Sequence, residues 1–248
     1  MRKKSHVSLS LYLIKNIDNQ LLSDHKKAFV MGSILPDCKP SFVTTKHNME
    51  ETFEMVTEFI SKLTVDSDDF KKISTSYCRK LGEVTHYLAD YFTFPHNGEF
   101  DGNMKDHCMY EKYLKYALKD YIHSEELYIN SQIASTFNTP EELCQFVMWL
   151  HDSYINSHES MDSNKNMGSY KSIHRDCKYI VTMTHIVTSG ILHLMEINRN
   201  LEEGYIEREK ISNWRILQTF QGKFISDKMY SMPFRKQRKN GRISSSLW

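Results

Sequence analysis

The pattern that most restricts the fold is a helical repeat of apolar residues, clearest in residues 49–63. Five apolar side chains there follow each other three or four positions apart: Phe53, Val56, Phe59, Ile60 and Leu63. This spacing places them on one face of an α-helix. Similar patterns predict helices at about 7–19, 24–33, 67–94, 104–122, 140–154 and 172–200. Strand-like alternation is scarce, so the sequence predicts an all-α, single-domain bundle of seven or eight helices.

Length and charge restrict the domain organisation further. The 248 residues suffice for one large domain, and the net charge of +1 gives no reason to expect a stable nucleic-acid partner. We predict one domain over residues 1–234 and a basic tail over 235–248. The tail contains RKQRKNGR and is expected to be a solvated terminus; the alternative is a contact with anionic lipid or another polyanion.

The five cysteines and the first residues bear on the compartment. The cysteines are scattered, odd in number and never paired as CxxC, which argues against disulfides and against a cysteine zinc knuckle. The opening MRKKSHVSLSLYLIKN is interrupted by polar residues and has no small-residue cleavage pattern. We also expect no stretch to reach the length of a membrane span. The sequence therefore predicts a cytoplasmic protein without a transmembrane segment.

Potential metal ligands recur at helical spacing in residues 82–111. His86 and Asp90 are four positions apart and share one helical face, and His107 and Glu111 repeat this geometry on the next helix. His96 lies between the two helices in a Pro-His-Asn loop. One such pair arises by chance in helical proteins, where a packed histidine and a surface acid are the simpler interpretation. Two pairs flanking another histidine favour a metal site.

Three further residues extend this set. Asp37 follows a predicted helix in the segment GSILPD, His47 comes ten residues later, and His6 lies near the start of the first helix. Imidazole nitrogens combined with carboxylate oxygens suit zinc, and adjacent helices of a bundle can direct such pairs into a shared centre. The sequence therefore predicts a zinc site between helices.

These motifs carry a resemblance to a known family. They are Ser-His6 heading a helix, LPD ending at Asp37, His47, GEVTHYLAD (82–90), PHN (95–97) and HCMYE (107–111). In this order and spacing the motifs resemble those of the bacterial zinc-dependent phospholipase C family, over roughly the first half of the chain. The resemblance implies an all-helical fold that holds a cluster of three zinc ions.

The resemblance also implies which residues bind each ion. One zinc would be held by Asp37, His47, His86 and Asp90, and a second by His96, His107 and Glu111. The third would use His6 and share Asp90. In the family, an N-terminal tryptophan completes the third site with its backbone amine and carbonyl, whereas this sequence begins Met1-Arg2-Lys3. Either Met1 folds back as a substitute, or the third site is weak or filled only with substrate. We therefore expect two or three Zn²⁺ ions per chain.

The function implied by the resemblance is phospholipase C-type hydrolysis of a phospholipid headgroup by zinc-activated water. Asp37 would orient or deprotonate the water, and Phe42 is a candidate for lining the headgroup pocket. The expected partner is a phospholipid or other phosphodiester, with transient contact to a membrane surface. One alternative is a single-strand nuclease similar to the S1/P1 enzymes, which typically have Asp where this chain has Glu111. Another is a zinc-binding protein without turnover.

Overall fold

The architecture is a bundle of α-helices connected by loops and short 3₁₀ helices. We analysed a computed structural model that describes residues 1–39, 46–65, 75–124, 129, 131–159 and 170–202. Its α-helices are Lys3–Asn16 (α1), Gln20–Asp24 (α2), Lys26–Ile34 (α3), Met49–Val65 (α4), Thr75–Tyr91 (α5), Met104–Tyr121 (α6), Pro140–Glu159 (α7) and Tyr170–Glu202 (α8). Turns of 3₁₀ helix cover Pro36–Cys38, Phe94–His96 and Ser131–Thr136. No strand occurs within the described ranges, so the all-α prediction is confirmed.

Local capping explains where two of the helices begin. The Asn103 side chain accepts hydrogen bonds from backbone N–H groups in the first turn of α6, and the Asp106 carboxylate accepts one from the Asn103 backbone N–H. Pro140 is the first residue of α7, and the Thr139 hydroxyl accepts the backbone N–H of Glu142. Both arrangements satisfy N–H groups that have no partner inside the helix. The helix start predicted at about residue 140 is therefore confirmed.

Two features near the N-terminus differ from the sequence-based expectation. Helix α1 begins at Lys3, so His6 lies one turn inside the helix. The five-residue helix α2 was not predicted; Asn19 caps it by accepting the backbone N–H of Leu22. A helix this short presents too little apolar periodicity to be recognised from sequence.

The longest helix, α8, is the central element of the core. Five apolar side chains at helical spacing along it are fully buried: Ile180, Met183, Val187, Ile191 and Leu194. Its segment Ser172–Arg199 is long and apolar enough to cross a membrane, so the expectation that no stretch has this length is wrong. Because 78% of its most apolar window is buried inside the protein, the segment has the character of a core helix.

Helices α3 and α5 meet at two glycines, which allow their backbones to touch. A Cβ atom added to Gly82 would lie 2.2 Å from the carbonyl oxygen of Phe29, and one added to Gly32 would overlap the carbonyl of Arg79. Only glycine fits at both positions. This close approach brings the end of α3, which leads to Asp37, against the face of α5 that carries His86.

We expect Gly82→Ala to destabilise the protein by about 2–3 kcal/mol, because the new methyl group forces the two helix backbones apart. This loss exceeds the gain of about 1 kcal/mol from better helix propensity. Chemical denaturation would measure it. Gly98→Ala is the matched control, since nothing lies within 4 Å of a Cβ atom there. Equal stability of both variants would contradict the close helix contact.

His185 on α8 makes stability depend on pH. The side chain is buried, its Nδ1 atom has no hydrogen bond to any described group, and burial lowers its pKa from 6.5 to about 4. Between pH 6.5 and 4 the unfolded chain binds this proton and the folded chain does not, so stability falls as the pH falls. The loss reaches about 3 kcal/mol below pH 4.

We therefore expect His185→Leu, which cannot take up a proton, to be more stable relative to the original protein at pH 4 than at pH 7.5. Urea denaturation at both pH values measures this difference, and the pH 7.5 comparison corrects for any change in packing. A stability difference that is independent of pH would contradict the prediction.

Three sequence-based predictions fall outside the described residues. They concern Phe42, the first part of the helix expected at 67–94, and the basic tail 235–248. The residues described belong to one compact unit, Met1–Ile211. The domain boundary at residue 234 stays a prediction.

Candidate metal centre

The predicted ligands come from six parts of the chain, which meet at α5. His6 lies on α1, Asp37 on the 3₁₀ turn after α3, and His47 just before α4. The remaining residues follow in chain order: His86 and Asp90 on α5, His96 on the turn Phe94–His96, and His107 and Glu111 on α6. The helical spacings therefore place both predicted pairs as expected, whereas the tertiary fold brings the six parts together.

Asp90 is the centre of this cluster. Its Oδ2 atom lies 3.2 Å from Nδ1 of His47 and 3.3 Å from Nε2 of His86. Its Oδ1 atom lies 2.5 Å from the Met1 amine and 3.4 Å from Nε2 of His6. Burial alone would raise the pKa of Asp90, but the Met1 ammonium and the surrounding imidazoles hold this pKa well below its ordinary value. The carboxylate is therefore ionised.

The orientation of His86 directs one ring nitrogen into the cluster, 3.0 Å from Nδ1 of His47. Its Nδ1 atom lies 2.8 Å from the carbonyl oxygen of Ser33, which can only accept a hydrogen bond, so Nδ1 carries the proton. In the neutral ring, Nε2 then has a lone pair and faces Asp37 and Asp90 at 3.6 and 3.3 Å. Metal-binding histidines commonly have their second nitrogen fixed in this way.

His6 is fully buried beside His86, with the two rings stacked at a centroid distance of 3.9 Å. Neither ring nitrogen of His6 forms a hydrogen bond with the described residues. Burial, followed by the charge of His86, lowers the pKa of His6 to about 3, so its ring is neutral near pH 7. An unbonded polar group costs free energy in the interior, and a bound cation would supply the missing partner.

A second group forms around Oε1 of Glu111. Nε2 of His107 lies 3.2 Å from this oxygen, and Nε2 of His96 lies 3.4 Å from it. Nδ1 of His96 is 3.2 Å from the backbone carbonyl of His47, which directs the other nitrogen of the ring towards Glu111. The His107 side chain is 27% exposed, compared with 0% for His86. The centre is therefore most open to solvent beside His107.

The Met1 amine lies between the two groups. It is 3.2 Å from Nε2 of His96 and from Oε1 of Glu111, in addition to its contact with Asp90. Burial disfavours the charged amine, but the carboxylates of Asp90 and Glu111 outweigh this and raise its pKa above the ordinary value. The ammonium thus supplies positive charge next to the buried Asp90 carboxylate and the half-buried Glu111 carboxylate. The amine thus lies where the folded-back Met1 alternative expects it, while the completion of a third site stays a prediction.

The side chains fit divalent cations. Three sets of potential ligand atoms each lie within 4.8 Å of one another: His6, Asp37 and His86; His47, His86 and Asp90; and His96, His107 and Glu111. The third set matches the group predicted for one zinc ion, and the first two overlap the residues predicted for the others. Neutral imidazoles and ionised carboxylates are the forms that bind metal. All eight predicted ligands therefore meet in one centre, while their assignment to particular ions stays a prediction.

The sequence analysis did not identify Asp176, which supports this centre from α8. Its Oδ2 atom accepts the backbone N–H of Phe94 at 2.9 Å and the Tyr110 hydroxyl at 2.7 Å. Its Oδ1 atom accepts the Tyr154 hydroxyl at 2.8 Å. Phe94 begins the turn that carries His96, and Tyr110 immediately precedes Glu111. The only sequence signal is an acid in a largely apolar helix, which does not reveal its partners.

The fold and the site together define an all-α protein with a buried histidine–carboxylate centre suited to several divalent metal ions. The model of the family described as zinc-dependent phospholipase C matches residues 5–161. The chain therefore belongs to the zinc-dependent phospholipase C family, and the resemblance seen in its motifs is confirmed. No curated protein and no solved structure matches the chain. Helix α8 with Asp176 lies beyond the matched residues.

Proposed function

We propose that this protein is a zinc-dependent phospholipase C that hydrolyses the phosphodiester bond between the glycerol and the phosphorylated headgroup of a phospholipid. The observation that carries the proposal is the convergence of eight histidine and carboxylate side chains, with Asp90 at their centre. Membership of a zinc-dependent phospholipase C family supports the reaction class. The products would be a diacylglycerol and a phosphorylated headgroup.

Two or three zinc ions are proposed for this centre. His96, His107 and Glu111 would hold one ion, and Asp37, His47, His86 and Asp90 would hold another. His6 and Asp90, joined by the deprotonated Met1 amine, would hold the third. Bound zinc supplies electrostatic stabilisation of the phosphoryl oxygens and lowers the pKa of the attacking water.

Asp37 is the residue proposed to receive the proton of the attacking water. Burial, supported by the nearby Asp90 carboxylate, raises the pKa of Asp37 above its ordinary value, which makes its carboxylate a better base. Its Oδ1 atom is 3.6 Å from Nε2 of His86 and 3.8 Å from Nδ1 of His47. The two imidazoles therefore hold the carboxylate at the centre, where a proton acceptor is required.

The test is hydrolysis of a soluble short-chain phosphatidylcholine by protein treated with a chelator and then restored with zinc. We expect zinc-dependent release of phosphocholine, and Asp37→Asn should reduce the rate by at least about 100-fold while the protein still binds zinc. Single-stranded DNA is the comparison substrate, and preferential cleavage of DNA would favour the nuclease alternative. Zinc binding without hydrolysis of either substrate would favour a non-catalytic metal-binding protein.

A further inference from the structure

A buried carboxylate on α5 has two lysine partners. The Glu83 side chain is 5% exposed, and its Oε2 atom lies 3.0 Å from Nζ of Lys39 and 3.2 Å from Nζ of Lys80. Both lysine side chains are partly exposed. A buried carboxylate requires a charged or hydrogen-bonding partner, and Glu83 would keep one ammonium if either lysine were removed. Charge compensation alone would therefore need only one of these lysines.

The two ion pairs differ in what they connect. Lys80 and Glu83 are three positions apart on α5, so their contact stays within one helix. Lys39 instead follows directly after the 3₁₀ turn Pro36–Cys38, and its contact with Glu83 joins that turn to α5. Of the two ion pairs, the one with Lys39 can therefore fix the position of the turn.

Glu83 lies on the side of α5 that carries the predicted metal ligands. It precedes His86 by three positions and Asp90 by seven, and residues at these spacings share one face of a helix. A three-residue step advances about 4.5 Å along the helix axis. The ion pair with Lys39 therefore lies on the same face of α5 as the metal centre, about one turn away.

The segment that carries Asp37 is attached to α5 at both ends. At its beginning, the backbone carbonyl of Ser33 lies 2.8 Å from Nδ1 of His86. At its end, Nζ of Lys39 donates to Oε2 of Glu83 at 3.0 Å. Between these contacts, Oδ1 of Asp37 lies 3.6 Å from Nε2 of His86. Loss of the Lys39 contact would release the end of the segment two residues after Asp37.

We propose that Glu83 is a positioning residue, which holds Asp37 in the metal centre through the ion pair with Lys39. This inference rests on the proposed function, in which Asp37 binds zinc and receives the proton of the attacking water. A displacement of about 1 Å at a reacting group can lower a rate by about 100-fold. The ion pair therefore affects both zinc binding and kcat, without contact between Glu83 and the substrate.

Zinc titration with a competing chelator tests the proposal without turnover. Lys39→Met removes the ion pair to the turn, and we expect it to lower zinc affinity by about 10-fold, the lower end of the range for residues that support a metal ligand. Lys39→Arg keeps a cation within reach of Glu83 and should retain the affinity of the parent. Lys80→Met is the matched control, because it removes an ion pair of Glu83 that stays within α5. It should leave zinc affinity unchanged.

A double substitution shows whether Lys39 acts through Glu83. Glu83→Gln, Lys39→Met and the two combined should lower zinc affinity by the same factor, because all three remove one contact. Losses that add up in the double variant would overturn the proposal, since the two residues would then act independently. Equal zinc affinities of Lys39→Met and Lys80→Met would also overturn it. Urea denaturation shows whether each variant folds, and if Glu83→Gln does not, the two lysine variants decide the outcome.

Hydrolysis of short-chain phosphatidylcholine at saturating zinc is measured in parallel. Lys39→Met should lower kcat and leave KM nearly unchanged, because Asp37 acts on the attacking water. A raised KM with unchanged zinc affinity would overturn the proposal, since Lys39 would then contact the substrate directly.

The two readouts separate the positioning role from the proposed function. If zinc affinity follows the prediction but the parent protein does not hydrolyse lipid, the positioning role stands and the proposed function fails. If the parent hydrolyses lipid and both lysine variants match it in zinc affinity and kcat, the positioning proposal alone fails.

Discussion

Asp90→Asn is expected to remove most metal binding and most activity. The Asp90 carboxylate contacts nitrogen atoms of Met1, His6, His47 and His86, and its Oδ2 atom is 3.7 Å from Nδ1 of His96. The asparagine side chain lacks the negative charge that all of these nitrogen atoms contact. Since changes in residues that only support a metal ligand cost about 10–100-fold, we expect zinc binding and phosphodiesterase activity to fall by at least about 100-fold.

Metal analysis of protein purified without chelator measures this loss directly. The parent should contain two or three zinc ions per chain, and the variant should contain fewer. Zinc should also raise the melting temperature of the parent, because it binds the folded state, and this increase should be much smaller in the variant. Asp152→Asn, at an exposed position on α7, is the control. An unchanged zinc content in Asp90→Asn would refute the assignment of Asp90 as the shared ligand.

Asp176→Ala is expected to have the largest effect on stability. The substitution removes a fully buried carboxylate that accepts at least three hydrogen bonds, including those from Phe94, Tyr110 and Tyr154. Hydrogen bonds to a charged group contribute about 1.5–3 kcal/mol each, so we expect a loss of about 4 kcal/mol or more in the free energy of unfolding. Chemical denaturation measures it, and Asp152→Ala should change stability by less than about 0.5 kcal/mol.

Two conservative variants separate two effects of Asp176, its contribution to the stability of the fold and its effect on the metal centre. Tyr154→Phe removes the bond to α7, which carries no predicted ligand, so it should lower stability without changing zinc affinity. Tyr110→Phe removes the hydrogen bond next to Glu111, so it should lower both the stability and the zinc affinity. Zinc titration with a competing chelator measures the affinity. Identical zinc affinities in these two variants would show that Asp176 has a purely structural role.

Several helices, both ligand pairs and the family could be predicted from local sequence alone. Apolar residues at helical spacing predict α4 and α8, and Thr139 with Pro140 marks the start of α7, because these signals depend on neighbours within one or two turns. The same local geometry places His86 with Asp90, and His107 with Glu111, on common helix faces. The family could also be recognised, because its motifs are short and follow a fixed order.

Only the tertiary structure decided how the pieces meet. The backbone contact at Gly32 and Gly82 brings α3 against α5 and gives His86 the carbonyl of Ser33 as its partner. The position of the Met1 amine depends on packing between residues about ninety positions apart. Asp176 acquires its role from tyrosines on two other helices. Helical periodicity predicts which face of a helix is buried, but these contacts depend on how helices cross, which no local pattern encodes.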